Sequence, residues 1–142
     1  MTKIDFHILP TTQMAEQLTY LARLVQKALG RDHKVLIAVN SDADAARVSD
    51  ALWSAIPESF LAHTFVQQGH YRLQIGTAEQ CGEHHDVLIN LCNTIPDYFS
   101  RFERVFEIVF QHQDVLPASR ERYRYYSDHG YDISRHDLRA QV

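Results

Sequence analysis

The sequence predicts an α/β fold, a single domain with a mostly parallel twisted sheet flanked by helices, and three observations carry that expectation. Lys34 to Val39 (KVLIAV) and Asp86 to Leu91 (DVLINL) are short, almost unbroken apolar runs, which suit strands covered on both faces. Segments with apolar residues at spacings of three and four precede and follow the first run, giving a β-α-β-α order with right-handed parallel crossovers. The chain has 142 residues, enough for one core that buries roughly two thirds of the unfolded surface. Residues 1–142 are therefore read as one domain, with no internal repeat, low-complexity stretch or linker.

Ile4 to Leu9 reads as the first strand, with Phe6 and Ile8 on one side, and Pro10 ends it because proline cannot donate to a ladder. Thr11 or Thr12 is placed to cap the next helix. Its stripe is Met14, Leu18, Leu21, Val25 and Ala28, broadened by Leu24 and Leu29, with Gly30 as the stop. After the Lys34 to Val39 strand, Asn40-Ser41-Asp42 offers capping side chains to a helix whose inner face is Ala45, Val48, Ala51 and Leu52. Asp44, Arg47 and Asp50 face outward and Trp53 follows the stripe. Ala62 to Gln67 and Tyr71 to Ile75 are short strands around Gln68-Gly69-His70. Asp86 to Leu91 is a central strand, Pro96 opens a brief helical segment over Asp97 to Phe102, and Arg104 to Phe110 is a further strand. A last helix runs from about Pro117 to His129, Gly130 stops it, and a polar tail follows.

Composition narrows the function. The formal net charge of -4 and a pI of about 6.1 provide no general basic field for a nucleic-acid backbone, so DNA is expected only indirectly. MTKIDFHILP lacks a secretion-signal core, and no apolar run approaches the ~20 residues that span a bilayer, so a cytoplasmic protein without membrane contact is expected. Cys81 and Cys92 are too few for a disulfide framework and too far apart for a CxxC motif, and are read as free thiols. His84-His85-Asp86 near Cys81 invites a metal, but adjacent strand residues point to opposite faces; no metal and no cofactor is expected.

Catalytic residues are also not expected. The turns Leu9-Pro10-Thr11-Thr12 and Val39-Asn40-Ser41-Asp42 match no phosphate-cradling pattern, and Asp42 and Asp44 would repel a phosphate. No GxSxG is present, and Ser49, Ser54 and Ser59 have no defined base partner. Cys92 follows a strand, where nucleophiles occur in α/β enzymes, yet a buried thiol is the simpler reading. Glu103 and Glu107, interleaved with Arg101 and Arg104, read as a solvated charge pattern.

Recognition is the remaining chemistry, because binding hot spots are enriched in Trp, Tyr and Arg. Trp53, Pro57 and Phe60 form one aromatic cluster after the second helix. The last helix holds Arg120-Glu121-Arg122-Tyr123-Arg124-Tyr125-Tyr126, in which Arg120, Tyr123 and Arg124 share a face. A ring flanked by two guanidinium groups suits an acidic peptide with an aromatic end.

KVLIAVNSDADAARVSDALWSAIPESF, DVLINL and RERYRYY, in this order, resemble the chi-subunit family of the bacterial DNA polymerase III clamp-loader complex, from about Phe6 to Leu138. The strand and helix within KVLIAVNSDADAARVSDALWSAIPESF also resemble those of one RecA-like helicase domain, without its nucleotide loop. The resemblance implies a Rossmann-like or RecA-like fold without a nucleotide-binding loop, and a non-enzymatic adaptor. It implies two partners: the psi subunit, and the acidic, phenylalanine-ended tail of single-stranded DNA-binding protein. Trp53 and Phe60 match the psi-facing positions; Val109, Arg120 and Tyr123 match the tail pocket. A lysine expected one turn before Arg120 is Leu116 here, which leaves two expectations: a weaker electrostatic grip on the tail, or a charge supplied by Arg124. The alternatives are a helicase-related nucleotide-binding or enzymatic domain, or an adaptor whose Trp53 and Phe60 surface serves a repair helicase, or self-association, in place of psi.

Overall fold

The two apolar runs lie side by side at the middle of the sheet, as β2 (Val35–Val39) and β5 (Val87–Asn90), with Val35 beside Val87 and Ile37 beside Ile89. Every residue of both strands is buried, as an apolar run without alternation requires. This computed structural model describes residues 2–54, 64–65, 73–77, 79–80 and 84–139, with the backbone alone for 53–54 and 64–65. Around the central pair stand β1 (Lys3–Ile8), β3 (Thr64–Phe65), β4 (Leu73–Thr77), β6 (Arg104–Val109) and β7 (Asp132–Asp137). Among the described residues the sheet has seven strands in the order β3-β4-β2-β5-β6-β1-β7, and each pairing among them is parallel.

Topology then sets the layers. From β1 through α1 (Met14–Gly30) to β2, and from β2 through α2 (Asp42–Ser54) to β3, the chain moves one way along the sheet; from β6 through α3 (Leu116–Asp128) to β7 it moves the other way. Right-handed crossovers accordingly put α1 and α2 on one face and α3 on the opposite one. The core divides the same way: Leu21, Val25, Val48 and Leu52 pack on Val35, Ile37 and Ile89, while Tyr126, Phe99 and Phe102 pack on Phe6, Leu36, Leu88 and Val109. Phe99 belongs to a single 3-10 turn, Phe99–Arg101, within the segment that Pro96 was expected to open.

Several boundaries differ from the sequence reading, each for a local reason. Gln13 is the N-cap of α1 and makes no side-chain cap bond; Thr11 instead accepts a hydrogen bond from the Gln13 amide at 3.0 Å, tightening the turn before the helix. Gly30 is the last residue of α1, and the left-handed step falls on Asp32, at φ 62°. Ser41 does cap α2, accepting from the Asp44 amide at 3.2 Å. At the end of α3, Gly130 takes φ 77°, its amide donates to the Ser127 carbonyl and the Tyr131 amide donates to that of Tyr126, which satisfies two orphan carbonyls. Gln68-Gly69-His70 and Cys81 lie outside the described residues.

The largest correction concerns the polar tail. It is β7, an edge strand paired in register along the whole of β1. Its faces carry mostly exposed polar side chains, with Ile133 half-buried, so apolar periodicity gives no signal; the ladder is made by backbone groups that need partners whatever the side chains are.

Candidate functional site

Helix α3 is pinned to the sheet by a buried polar network. Glu107 on β6 has no exposed surface and accepts hydrogen bonds from Arg122 Nε at 3.0 Å, Asn90 Nδ2 at 2.9 Å and the Tyr126 hydroxyl at 2.7 Å. Arg122 also donates to the Asn93 carbonyl at 2.9 Å and to Ser119 Oγ at 3.2 Å. Glu107 is therefore not part of a solvated charge pattern; strand alternation turns it inward, beneath α3. Burial holds its carboxyl above the ordinary carboxylate range, while Arg122 and the two neutral donors pull it down. Burial, and then the charge of Glu107, push the Tyr126 phenol up.

With α3 held in this way, its next strip of side chains faces an open groove of about 290 Å³ bounded by α3, β6, β1 and β7. The floor is apolar: Phe6, Ile8, Val109 and Leu116, with the Tyr123 ring standing edge-on to Phe6 at 5.2 Å between centroids. Three guanidinium groups line it, Arg120 from α3 and Arg135 and Arg139 from the β7 side. Arg135 lies over the Tyr123 ring, its Cζ 5.8 Å from the centroid. Arg139 is held by the Asp137 carboxylate at 2.9 and 2.6 Å, and those bonds keep the Asp137 carboxyl low, at about 2.

Val109, Arg120 and Tyr123 thus meet in one groove, as side chains 11 and 14 positions apart brought together by packing α3 on β6. Arg124 is exposed on α3 and does not line the groove. Leu116, standing where a lysine was expected, extends the apolar floor. Sequence reasoning missed Arg135 and Arg139, because their contribution depends on β7, a strand whose sequence carries no apolar period. Trp53 lies on α2 as a backbone position only, and its side chain, Pro57 and Phe60 are outside the described residues.

A second crevice opens at the carboxyl ends of β2 and β5, where α/β sheets bind nucleotides. Its turn is closed by Asn40 Oδ1, which accepts from the Asn93 amide at 2.9 Å, and Asp44, at 3.4 Å from Arg47, occupies the first turn of α2. A carboxylate there opposes phosphate at the helix N-terminus. Cys92 beside it is buried, and burial together with the Glu107 charge pushes its thiol up to about 12, away from nucleophilic reactivity. Among the described residues no group of three or more His, Cys, Asp and Glu is arranged to hold a metal, and no helix is long and apolar enough to cross a membrane.

Comparison with known proteins adds the lineage. The family described as DNA polymerase III chi subunit, HolC, matches residues 1–134. The DNA polymerase III subunit chi of Pseudomonas aeruginosa is 30% identical over 139 residues, covering 97% of this chain and 98% of that protein. The subunit chi of Escherichia coli is 25% identical over 142 residues, covering 94% and 97%. That of Haemophilus influenzae is 29% identical over 105 residues, covering 71% and 73%. A parallel α/β sheet without a phosphate loop, a groove built on the RERYRYY helix, and a family match over nearly its whole length agree: the chain belongs to the DNA polymerase III chi subunit family.

Proposed function

We propose that this chain is a non-catalytic adaptor of bacterial DNA polymerase III, working in the cytoplasm and supporting replication by binding proteins, with DNA reached only through them. Its two partners in this reading are the psi subunit and the acidic C-terminal tail of single-stranded DNA-binding protein. One observation carries the tail reading: an apolar slot floored by Phe6, Ile8 and Val109 opens directly beneath guanidinium groups. A terminal aromatic ring fits the slot, edge-on to Tyr123, while Arg120 pairs with the tail's carboxylates. The chain carries a net charge of -4, so an acidic tail is repelled overall and the local arginines must overcome that field. A short peptide on an exposed groove gains little buried area, so affinity near 10⁻⁶ M, weakening with added salt, is expected.

Titration of the full chain with the tail peptide, with and without its final Phe, tests the reading. Strong preference for the complete peptide is expected; equal binding of both, or of neither, overturns it.

The psi assignment rests on the match of Trp53 and Phe60 to the family's psi-facing positions. Trp53→Ala with Phe60→Ala is expected to abolish co-purification with psi while leaving tail binding within about twofold, since the described lining of the groove comes from α3, β6, β1 and the β7 side. Retained psi binding would move that interface elsewhere, and binding of a repair helicase lost in the same variant would support the alternative partner. The strand-end crevice favours a nucleotide reading by position alone, and its acidic, capped turn argues against it.

A further inference from the structure

We propose that Arg135, on β7, forms with Arg120 a two-sided clamp for the terminal carboxylate of the bound peptide, and that Arg124 takes no part. The proposal rests on the tail-binding reading and assigns the residues that recognise the chain end. Parallel pairing sets Phe6 of β1 opposite Arg135 of β7, so both side chains emerge on the face that α3 covers. Arg135 is thereby carried beside the slot floor, with its guanidinium over the Tyr123 ring at 5.8 Å. Stacking of this kind holds a planar fork in place, so less freedom is lost when it takes up a carboxylate.

The other arginines near this face are already engaged. Arg122 is committed to Glu107 at 3.0 Å, and Arg139 to Asp137 at 2.6 Å. Among the described residues neither Arg120 nor Arg135 makes an ion pair, and they approach the slot from opposite sides, one from α3 and one from β7. In a C-terminal aromatic residue the carboxylate is attached to the same Cα as the ring-bearing Cβ. A ring seated on Phe6, Val109 and Leu116 therefore brings that carboxylate to the rim beside Tyr123, within the span of the two free guanidinium groups. Leu116 supplies apolar floor, and Arg135 brings a cation to the groove from the strand side. The clamp selects a free chain end over the same aromatic residue inside a longer chain, where the carboxylate is an amide.

The test is a binding cycle with the full chain, using the tail peptide as free acid and as C-terminal amide, against wild type, Arg135→Ala, Arg135→Lys and Arg124→Ala, each checked for an unchanged melting temperature. Amidation is expected to weaken wild-type binding about tenfold, and Arg135→Ala to weaken the free acid by about as much. In Arg135→Ala the amidation penalty should shrink to about threefold, because half the clamp is gone. Arg135→Lys, which keeps charge without the planar fork, should fall between, and Arg124→Ala should stay within about twofold of wild type. A full tenfold amidation penalty in Arg135→Ala, or free-acid affinity unchanged by that substitution, overturns the clamp while leaving the tail reading intact. Failure of wild type to bind either peptide overturns both.

Discussion

Glu107 carries a formal charge into a site with no exposed surface, and its environment dictates what each partner contributes. A buried ion pair contributes little net stability over an apolar pair of similar volume, but removing one partner strands the other. Arg122→Ala is therefore expected to cost about 3–5 kcal/mol, read as a lowered urea midpoint, whereas Glu107→Leu with Arg122→Met should cost far less. His7 poses the opposite case, a buried base kept neutral. Its Nδ1 is hydrogen-bonded to the Tyr20 hydroxyl at 2.6 Å, its ring stacks on His136 at 4.7 Å, and Nε2 is buried without a partner among the described residues. Burial first, then the neighbouring His136, push the imidazole down to about 4; Asp5 pulls it upward, and Lys27 adds a lesser downward push. Between that value and the ordinary 6.5 the unfolded chain takes up a proton that the folded chain refuses, so stability falls as pH drops from about 6.5 to about 4. Melting temperatures across that window should decline, and His7→Gln should flatten the decline; an unchanged slope would show that other groups govern it.

Among the elements, those with an apolar period were legible and those held by backbone alone were not. The stripe Leu21, Val25 and Ala28 placed α1, and unbroken apolar runs placed β2 and β5, because burial of those residues is encoded within a few neighbours. β7 was unreadable, since Ile133 is its one half-buried apolar residue and its pairing partner β1 is at the other end of the chain. The turn feeding β7 was legible from Gly130. That residue sits at φ 77° with no atom within 4 Å of where a Cβ would stand, so Gly130→Ala meets backbone strain and no clash. A loss of about 1 kcal/mol is expected from the denaturation midpoint. The same substitution should shift the exit of α3 and loosen Arg135, weakening the peptide by a few fold.

For the molecule as a whole, the parallel sheet leaves two openings, a crevice at the carboxyl ends of β2 and β5 and the groove on the α3 face that is proposed for recognition. The strand-end crevice is faced by Asp44, whose amide is already taken by the Ser41 cap of α2, so ATP with magnesium should leave the melting temperature unchanged; an upward shift would restore the nucleotide reading, because a ligand bound only by the folded state must stabilise it. Fold class, the missing phosphate loop and the Arg120 and Tyr123 pair could all be inferred from local pattern, since propensity, periodicity and turn chemistry act over a turn of helix or a few strand residues. Which charges are buried and which are free could not. Glu107 and Arg122 look like ordinary surface residues until β6 and α3 are packed together, and Arg135 reaches the groove only through the register of β7 on β1. Those pairings join residues far apart in sequence, and only the folded chain brings them within reach of one another.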